Sequence, residues 1–339
     1  MKVAAFTGGV AAPSARFRIH QHIPSLAQHG IRVKEFIARF GSWPPANCML
    51  RPIWGIATLL DRVPGVLASR RYNLTLLQRE MLSTFVTLEP WTNAPRILDV
   101  DDAIWLHRRG DYASRLAAMC DGVICGNTFL ADYFCRWNST VRVIATAVDT
   151  ARFHPQARRE ISETFVLGWC GHHSGLRYLF SLEAALGRLL KRHNWMRLRV
   201  VCDLRPRFAA LPAHQVEFIP WSPETEVTSL QGMDVGLMPL LDDSWCRGKC
   251  SYKMLLYMAC GLPVVVSPIG MNLEVLKRGE VGFGASSADE WVDALEWMAA
   301  RREAAVALGR NGRRVVSEHY SLQALTPVLA GFLKKMAAR

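Results

Sequence analysis

The chain has 339 residues, of which 50% are apolar, and its 41 Lys and Arg residues exceed its 29 Asp and Glu residues to give a net charge of +12. This composition excludes an intrinsically disordered chain and predicts two folded domains of ordinary size. The positive charge favours an anionic partner, which could be a nucleic acid, a membrane surface or a phosphorylated substrate. Nine cysteines without paired spacing favour reduced thiols and a cytoplasmic location.

The first predicted element is a buried strand at Lys2–Thr7, followed by a turn at Gly8 and Gly9. A basic helix start containing Arg16 and Arg18 comes next. A strand, a glycine turn and a helix start form half of a nucleotide-binding βαβ unit, but the G-x-G-x-x-G pattern of an NAD site is missing. The two arginines either bind an anionic ligand or are solvated at the helix start.

Five further strand-like segments alternate with helical stretches, which predicts a mostly parallel sheet covered on both faces. They are Ile31–Ile37, Leu74–Gln78, Arg96–Val100, Gly122–Cys125 and Val141–Ile144. The stretch 48–71 is apolar with interspersed arginines. It fits an interfacial membrane patch, although a core-packing helix interrupted by prolines is the commoner explanation.

A carboxylate cluster, Asp99-Val-Asp101-Asp102, stands at the carboxyl end of a predicted parallel strand, where open α/β sheets place their active sites. One hypothesis is an Asp-x-Asp metal site. Another is a helix-capping cluster with Asp102 near the next helix start. We favour a role for Asp101 or Asp102 in a binding cleft, without metal.

A second alternating series begins with a strand at Phe165–Cys170, a loop from Gly171 to Gly175 and a helix at Leu176–Arg192. Such a loop also suits an anion. His172 and His173 are not favoured as metal ligands, because no third ligand is evident nearby in the sequence. Strands are predicted at Leu198–Cys202, Val216–Ile219 and Val235–Met238, and helices at Glu224–Leu230, Ala288–Ala300 and Leu322–Lys335. Trp221 either stacks on a nucleobase or packs between domains.

The most informative stretch runs from Cys246 to Pro268 and predicts a basic loop, a short helix and a buried strand at Pro263–Ser267. If the helix begins near Lys249, its ammonium group and that of Lys253 lie on one side of the first turns. Two lysines at a helix N-terminus suit a phosphate or diphosphate. The alternative is a solvated loop leading into a core helix.

The run Lys-Cys-Ser-x-Lys-x-Leu-x-Tyr-Met-Ala-Cys-Gly-Leu-Pro-Val-Val that begins at Lys249 resembles the donor-site segment of retaining GT-B glycosyltransferases of the family-4 type, the glycosyl transferases group 1. The resemblance covers nearly the whole chain. It implies two Rossmann-like parallel-sheet α/β domains that face a central cleft. The expected divisions are an acceptor domain at 1–155, a linker at 156–163, a donor domain at 164–318 and a C-terminal helix at 319–339 that crosses back to the first domain.

The resemblance also implies a retaining, metal-independent transfer of sugar from a nucleotide-diphosphate sugar to a glycan or lipid-linked acceptor. The catalytic residues would be Lys249, Lys253 and Asp101. The donor would be bound by Gly171, His172, Ser174, Ser251, Trp221, Gly8 and Gly9, and the acceptor by Arg16, Arg18 and Asp102. No cofactor, metal or nucleic-acid partner is expected, since the basic residues are dispersed. A peripheral contact with the inner face of the membrane is a further expectation.

Two departures from the family pattern support a second hypothesis. Relatives carry two glutamates eight positions apart, where this chain has Gly248 and Leu256. Relatives also place an Arg and a Lys where this chain has His172, His173 and Ser174, which leaves Lys249 and Lys253 to neutralise the leaving group. The second hypothesis is therefore a non-catalytic, degenerate GT-B protein that binds glycans or partners. A third is metal dependence through Asp99 and Asp101.

Overall fold

The computed structural model describes residues 1–9, 12–41, 43–107, 110–156 and 162–339. The described residues form two compact units. The first unit contains Met1–Ala147, Gly248–Cys250 and Leu322–Arg339, and the second contains Val148–Arg247 and Ser251–Ser321. Most of the predicted linker, residues 157–161, lies outside the described residues.

The first unit is built on a six-stranded sheet of order β2-β1-β3-β4-β5-β6, in which every neighbouring pair is parallel. Its strands are β1 (Lys2–Thr7), β2 (Arg32–Ile37), β3 (Leu74–Gln78), β4 (Arg96–Val100), β5 (Gly122–Cys125) and β6 (Val141–Val143). The second unit has a parallel sheet of order β12-β11-β10-β7-β8-β9. Its strands are β7 (Phe165–Cys170), β8 (Met196–Cys202), β9 (Val216–Pro220), β10 (Val235–Met238), β11 (Val264–Val266) and β12 (Gly282–Gly284).

Most α-helices of the described residues connect these strands, and the last three follow β12. They are α1 (Pro13–Arg18), α2 (Ile23–Gln28), α3 (Arg51–Ser69), α4 (Asp111–Met119), α5 (Thr128–Phe134), α6 (Leu176–Phe180), α7 (Glu183–Arg192), α8 (Glu226–Gln231), α9 (Ser244–Arg247), α10 (Tyr252–Ala259), α11 (Gly270–Leu276), α12 (Ala288–Ala300), α13 (Arg302–His319) and α14 (Leu322–Ala337). No helix in these ranges is both long and apolar enough to cross a membrane.

The predicted parallel sheets are confirmed, and their buried strands explain why. In the first unit Val3, Leu74 and Ile97 lie on adjacent strands and are fully buried. Leu329 and Leu333 of α14 belong to the same core cluster. Because every strand runs in the same direction, the carboxyl ends of each sheet meet at one edge, and the polar residues that follow the strands gather there.

Two sequence interpretations need correction. The predicted helix at Leu176–Arg192 is two helices, α6 and α7, with the chain turning at Ser181 and Leu182. The core-packing helix expected in 48–71 is present, but only one of its faces is buried and the prolines do not interrupt it. Residues 51–69 form one continuous helix, α3, that contains Pro64, and several of its large apolar side chains are exposed to solvent.

Candidate active site

A cluster of charged side chains occupies the carboxyl edge of the first sheet. Arg79 follows β3 directly, and Asp101 and Asp102 follow the neighbouring strand β4. The Arg79 guanidinium donates to Asp101 Oδ1 at 2.8 Å from Nε and 2.5 Å from Nη2, and to Asp102 Oδ2 at 2.6 Å. The three side chains are only 14–20% exposed. Sheet topology therefore brings both predicted aspartates onto one arginine.

Lys249 joins this cluster. Its ammonium group donates to Asp102 Oδ1 at 3.0 Å, so the structure brings together the predicted residues Lys249, Asp101 and Asp102. The chain around Lys249 is fixed on both sides. Its carbonyl accepts a hydrogen bond from Asn127 Nδ2 at 3.0 Å, and the Cys250 thiol donates to the Asp101 carbonyl at 3.1 Å.

The two carboxyl groups have different electrostatic environments. Burial raises the pKa of Asp101, and attraction to Arg79 offsets this only in part. Burial acts in the same direction on Asp102, but attraction to Arg79 and Lys249 prevails and holds its pKa below the ordinary value. Neighbouring carboxyl groups with opposite pKa shifts are typical of acid–base sites.

Arg79 also has an unusual backbone conformation, with φ of +61° in the left-handed region. For a residue other than glycine this conformation costs on the order of 1–3 kcal/mol and is most often found at functional sites. Its amide donates to the Asp99 carbonyl at 3.1 Å, which holds it against β4. The left-handed conformation of Arg79 is therefore maintained by the end of β4, the strand that Asp101 and Asp102 follow.

The two positions at which the resemblance implies glutamates, Gly248 and Leu256, have structural roles here. A Cβ atom on Gly248 would lie 2.8 Å from Ala103 Cβ and 3.0 Å from the Ala103 amide nitrogen, so this close approach requires glycine. Leu256 is 4% exposed, in the core of the second unit. Neither position offers a glutamate the space and solvation that it needs.

The other site residues predicted for the first unit do not join the cluster of Arg79, Asp101, Asp102 and Lys249. Arg18 is buried, and its guanidinium makes a bidentate pair with Asp99 at 2.9 and 2.7 Å. This pairing favours a structural role and occupies both carboxylate oxygens that the metal hypothesis needed. Arg16 is partly exposed over the Phe17 ring, with Cζ 4.4 Å from the ring centroid. Gly9 has φ of +81° in the turn after β1, which explains why a glycine is needed there.

In the second unit, Lys253 lies against the glycine loop Gly171–Gly175 that follows β7. Its Nζ is 5.0 Å from the centroid of the Trp169 ring. A Cβ on Gly171 would be 2.6 Å from Lys253 Cε and 3.0 Å from Nζ, and one on Gly175 would be 3.4 Å from Nζ. The absence of side chains on these glycines therefore lets the ammonium group reach the loop.

The helix that carries Lys253 starts later than its spacing suggested. It begins at Tyr252, after Ser251 with φ of +49°. Lys249 is therefore outside the helix, and the two lysines belong to different compact units. The left-handed residue interrupts the helical path, so the expectation of both lysines on one helical side is wrong. The Ser251 hydroxyl is buried and donates to Asn272 Oδ1 at 2.7 Å, which indicates a structural contact.

Two neighbouring histidines of the glycine loop share one carboxylate. Asp203, which follows β8, accepts from the His173 amide at 2.7 Å and from its Nδ1 at 2.6 Å, and lies 3.4 Å from His172 Nε2. Burial opposes ionisation of Asp203, but the hydrogen bonds from His173 prevail and lower its pKa to about 2. The premise that no third ligand lies near the histidines is thus wrong, because Asp203 completes a group that could hold a metal ion. All three residues are exposed.

Trp221 follows β9, and Ser174 lies within the glycine loop beside His172. The Trp221 indole donates to Glu226 Oε1 at 3.1 Å, and its amide donates to the Cys202 carbonyl at 3.0 Å. Ser174 Oγ is 3.0 Å from His172 Nδ1. Hence Trp221, Asp203 and the glycine loop follow the adjacent strands β9, β8 and β7 at one edge of the second sheet.

Sequence reasoning missed Arg79, Asn127 and Asp203. Each of them follows the carboxyl end of a strand whose limits were predicted to within two residues. Asp101 was selected because it occupies the same kind of position, at the end of β4. A systematic search of the first residues after each strand would have found all three. Tyr257 was also missed. Its hydroxyl accepts the Cys170 amide at 2.8 Å and so ties α10 to the end of β7.

Comparisons with known proteins show which proteins have a similar fold. Residues 164–301 match the family model described as glycosyl transferases group 1. No curated protein matches the sequence. Similar solved structures include a sucrose-phosphate synthase from Thermosynechococcus elongatus, with 16% identity, coverage of 100% of this chain and 99% of that chain, and a TM-score of 0.77.

Two other solved structures are similar over nearly their whole length. HepE from Anabaena, crystallised with UDP and glucose, is 15% identical, covers 99% of this chain and 100% of its own, and has a TM-score of 0.73. WaaG, a glycosyltransferase involved in lipopolysaccharide biosynthesis, is 14% identical, with coverage of 97% and 99% and a TM-score of 0.68. The chain therefore has the GT-B fold of these glycosyltransferases, and its residues 164–301 are similar to the glycosyl transferases group 1.

Proposed function

We propose that this protein is a glycosyltransferase that moves a sugar from a nucleotide-diphosphate sugar to a hydroxyl of a glycan or lipid-linked acceptor. The transfer retains the configuration of the sugar and needs no metal. The observation that carries the proposal is Lys253 held against the glycine loop Gly171–Gly175, inside the segment that matches the family model. The ammonium group of Lys253 therefore lies beside the backbone of the loop that follows the parallel strand β7. A cation in this position is suited to binding a diphosphate.

The second unit would hold the donor, with its diphosphate on Lys253 and the glycine loop. When the bond to the sugar breaks, negative charge grows on the leaving phosphate, and a cation already in position lowers the barrier. His173, held by Asp203, stands in the loop where the resemblance implies basic residues. The complex of HepE with UDP makes a uridine diphosphate sugar the first donor to test.

The first unit would hold the acceptor beside Asp101 and Asp102. Arg79 and Lys249 hold these carboxyl groups in one orientation, beside which an acceptor hydroxyl would bind. In a same-face mechanism the leaving phosphate takes the proton of the attacking hydroxyl. Asp101 and Asp102 then orient the acceptor and need not form a covalent intermediate.

The test compares Lys253→Met with Lys191→Met, which removes an exposed lysine of the same unit. Methionine keeps most of the apolar stem that packs over Trp169 and deletes the charge. We expect Lys253→Met to reduce turnover by about 100- to 1,000-fold, the typical cost of one donor that stabilises transition-state charge. The melting temperature should stay within about 3 °C of the wild type.

Donor binding is measured separately from turnover. Thermal midpoints are recorded with UDP, GDP, dTDP and CMP and with their sugars, in magnesium and in EDTA, because a ligand of the native state raises the midpoint. Stabilisation by one nucleoside diphosphate in EDTA supports the proposal. Stabilisation only with magnesium would overturn metal independence, and no response to any nucleotide would leave the non-catalytic glycan-binding alternative.

A further inference from the structure

Helix α3 turns its apolar side chains to solvent. Ile53, Ile56, Leu60 and Leu67 are 68%, 61%, 66% and 57% exposed. Their spacing of three, four and seven residues places them on one face of the helix. A helix that packs on a globular core normally turns this face inward.

The opposite face of α3 is buried and, besides Gly65 and Val66, carries polar side chains. Thr58, Arg62 and Ser69 are 1%, 3% and 0% exposed. The Arg62 guanidinium donates to the Phe36 carbonyl at 2.5 Å and to the Thr7 carbonyl at 3.0 Å. The helix thus packs on the first unit through this buried face, and its other face is left exposed.

The exposed apolar face continues into the segment before the helix. Phe40, Trp43, Met49 and Leu50 are 55%, 54%, 81% and 50% exposed. Across the described residues, half of the twenty exposed large hydrophobic side chains fall between Ile37 and Leu67. An apolar surface concentrated in this way marks an interaction site.

The charges around this face have one sign. Between residues 36 and 72 the sequence has five arginines and one acidic residue, Asp61. Arg39, Arg51, Arg70 and Arg71 are exposed, whereas the Asp61 side chain is only 10% exposed and pairs with Arg39. An apolar helix face bordered by arginines is complementary to acyl chains beneath anionic headgroups.

We propose that the exposed side chains of residues 40–41 and 43–71 form a docking surface for an anionic lipid bilayer, with α3 lying in the plane of the interface. The helix has 19 residues and is about 28 Å long, and it is not apolar enough to cross a membrane. A second copy of the chain is a poorer occupant, because a symmetric contact would bring the same arginines together. Lipid binding requires neither a sugar donor nor an acceptor, so it can be tested independently of the proposed transfer reaction. It would also explain how the protein reaches a lipid-linked acceptor.

The experiment uses the full chain and sucrose-loaded vesicles, either of phosphatidylcholine alone or with 30% phosphatidylglycerol, in a sedimentation assay. Wild-type protein should sediment with the anionic vesicles and be released in 0.5 M NaCl. Ile53→Gln combined with Leu60→Gln should weaken binding at least about tenfold, given the value of burying two aliphatic side chains. Arg70→Ala combined with Arg71→Ala should weaken it by about tenfold as well.

The matched control replaces two exposed leucines of the second unit, Leu204→Gln with Leu241→Gln, and should bind as the wild type does. The variants should all keep the wild-type melting temperature, because the exchanged side chains face solvent. Wild-type protein that stays in the supernatant would overturn the proposal. So would equal binding by the Ile53 and Leu60 variant, or a wild-type dimer that this variant converts to a monomer in light scattering. None of these results depends on nucleotide binding or turnover.

Discussion

Replacing Arg79 by methionine should strongly destabilise the first unit. The change removes the guanidinium that contacts both Asp101 and Asp102, whose side chains are 14% and 20% exposed. Removing one partner of a buried ion pair typically costs about 3–5 kcal/mol. Because Lys249 still contacts Asp102, we expect the lower end of this range, about 3 kcal/mol.

A second substitution tests whether charge is the cause. Asp101→Asn in the Arg79→Met background removes the carboxylate that has lost its ion-pair partner. We expect the double variant to be more stable than Arg79→Met by about 1–2 kcal/mol, within the usual range of coupling energies for contacting residues. A pure packing defect would give additive losses instead.

Stability should be read from urea unfolding together with hydrogen exchange of β3 and β4, which report on the first unit. Arg32→Met, at an exposed arginine of β2, is the control and should change stability by less than about 0.5 kcal/mol. A loss below about 1 kcal/mol for Arg79→Met would refute the energetic importance of the cluster. A double variant no more stable than the single one would refute the electrostatic explanation.

Two more predictions concern pH and packing. Burial, reinforced by Arg18, lowers the pKa of His22 to about 3. The unfolded state therefore binds more protons between pH 6.5 and 3, and stability should fall by about 2 kcal/mol from pH 6.5 to 5. In urea unfolding, the His22→Gln variant should lose this pH dependence, whereas the control variant His29→Gln should keep it. Identical pH profiles of stability for the two variants would contradict the reasoning. Gly248→Glu introduces one of the glutamates that the resemblance implies. It should cost about 1–3 kcal/mol through the clash with Ala103 and should not raise turnover. Higher activity of this variant would contradict the structural role of Gly248.

Several strands could be predicted to the residue because their signal is local. Lys2–Thr7, Leu74–Gln78 and Phe165–Cys170 are apolar runs bounded by turn residues, and the structure has the same limits. The short strand Gly282–Gly284 was not predicted, since three residues with two glycines carry no strand pattern. Its place in the sheet comes from pairing with β11.

Helix α3 shows the limit of periodicity. The spacing of Ile53, Ile56 and Leu60 tells which residues share a face, but periodicity is the same whether that face points to the core or to solvent. The orientation depends on contacts of the opposite face outside the helix, where the Arg62 guanidinium donates to the Thr7 carbonyl and the Asn93 amide donates to Ser69 Oγ. Only the packed structure shows the orientation.

The sequence by itself determined the α/β class, most strand positions and the basic segment from Lys249 to Lys253, because these depend on local patterns of apolar, glycine and charged residues. The tertiary structure decided which charges meet. Arg79 and Asp101 are 22 residues apart, and Lys249 and Asp102 are 147 apart. Contacts over such separations depend on strand order, which no local pattern encodes. The structure therefore gave Asp102 two cationic partners and left Lys253 at the glycine loop. Both lysines would share one side of a helix only if that helix began near Lys249, and it begins at Tyr252.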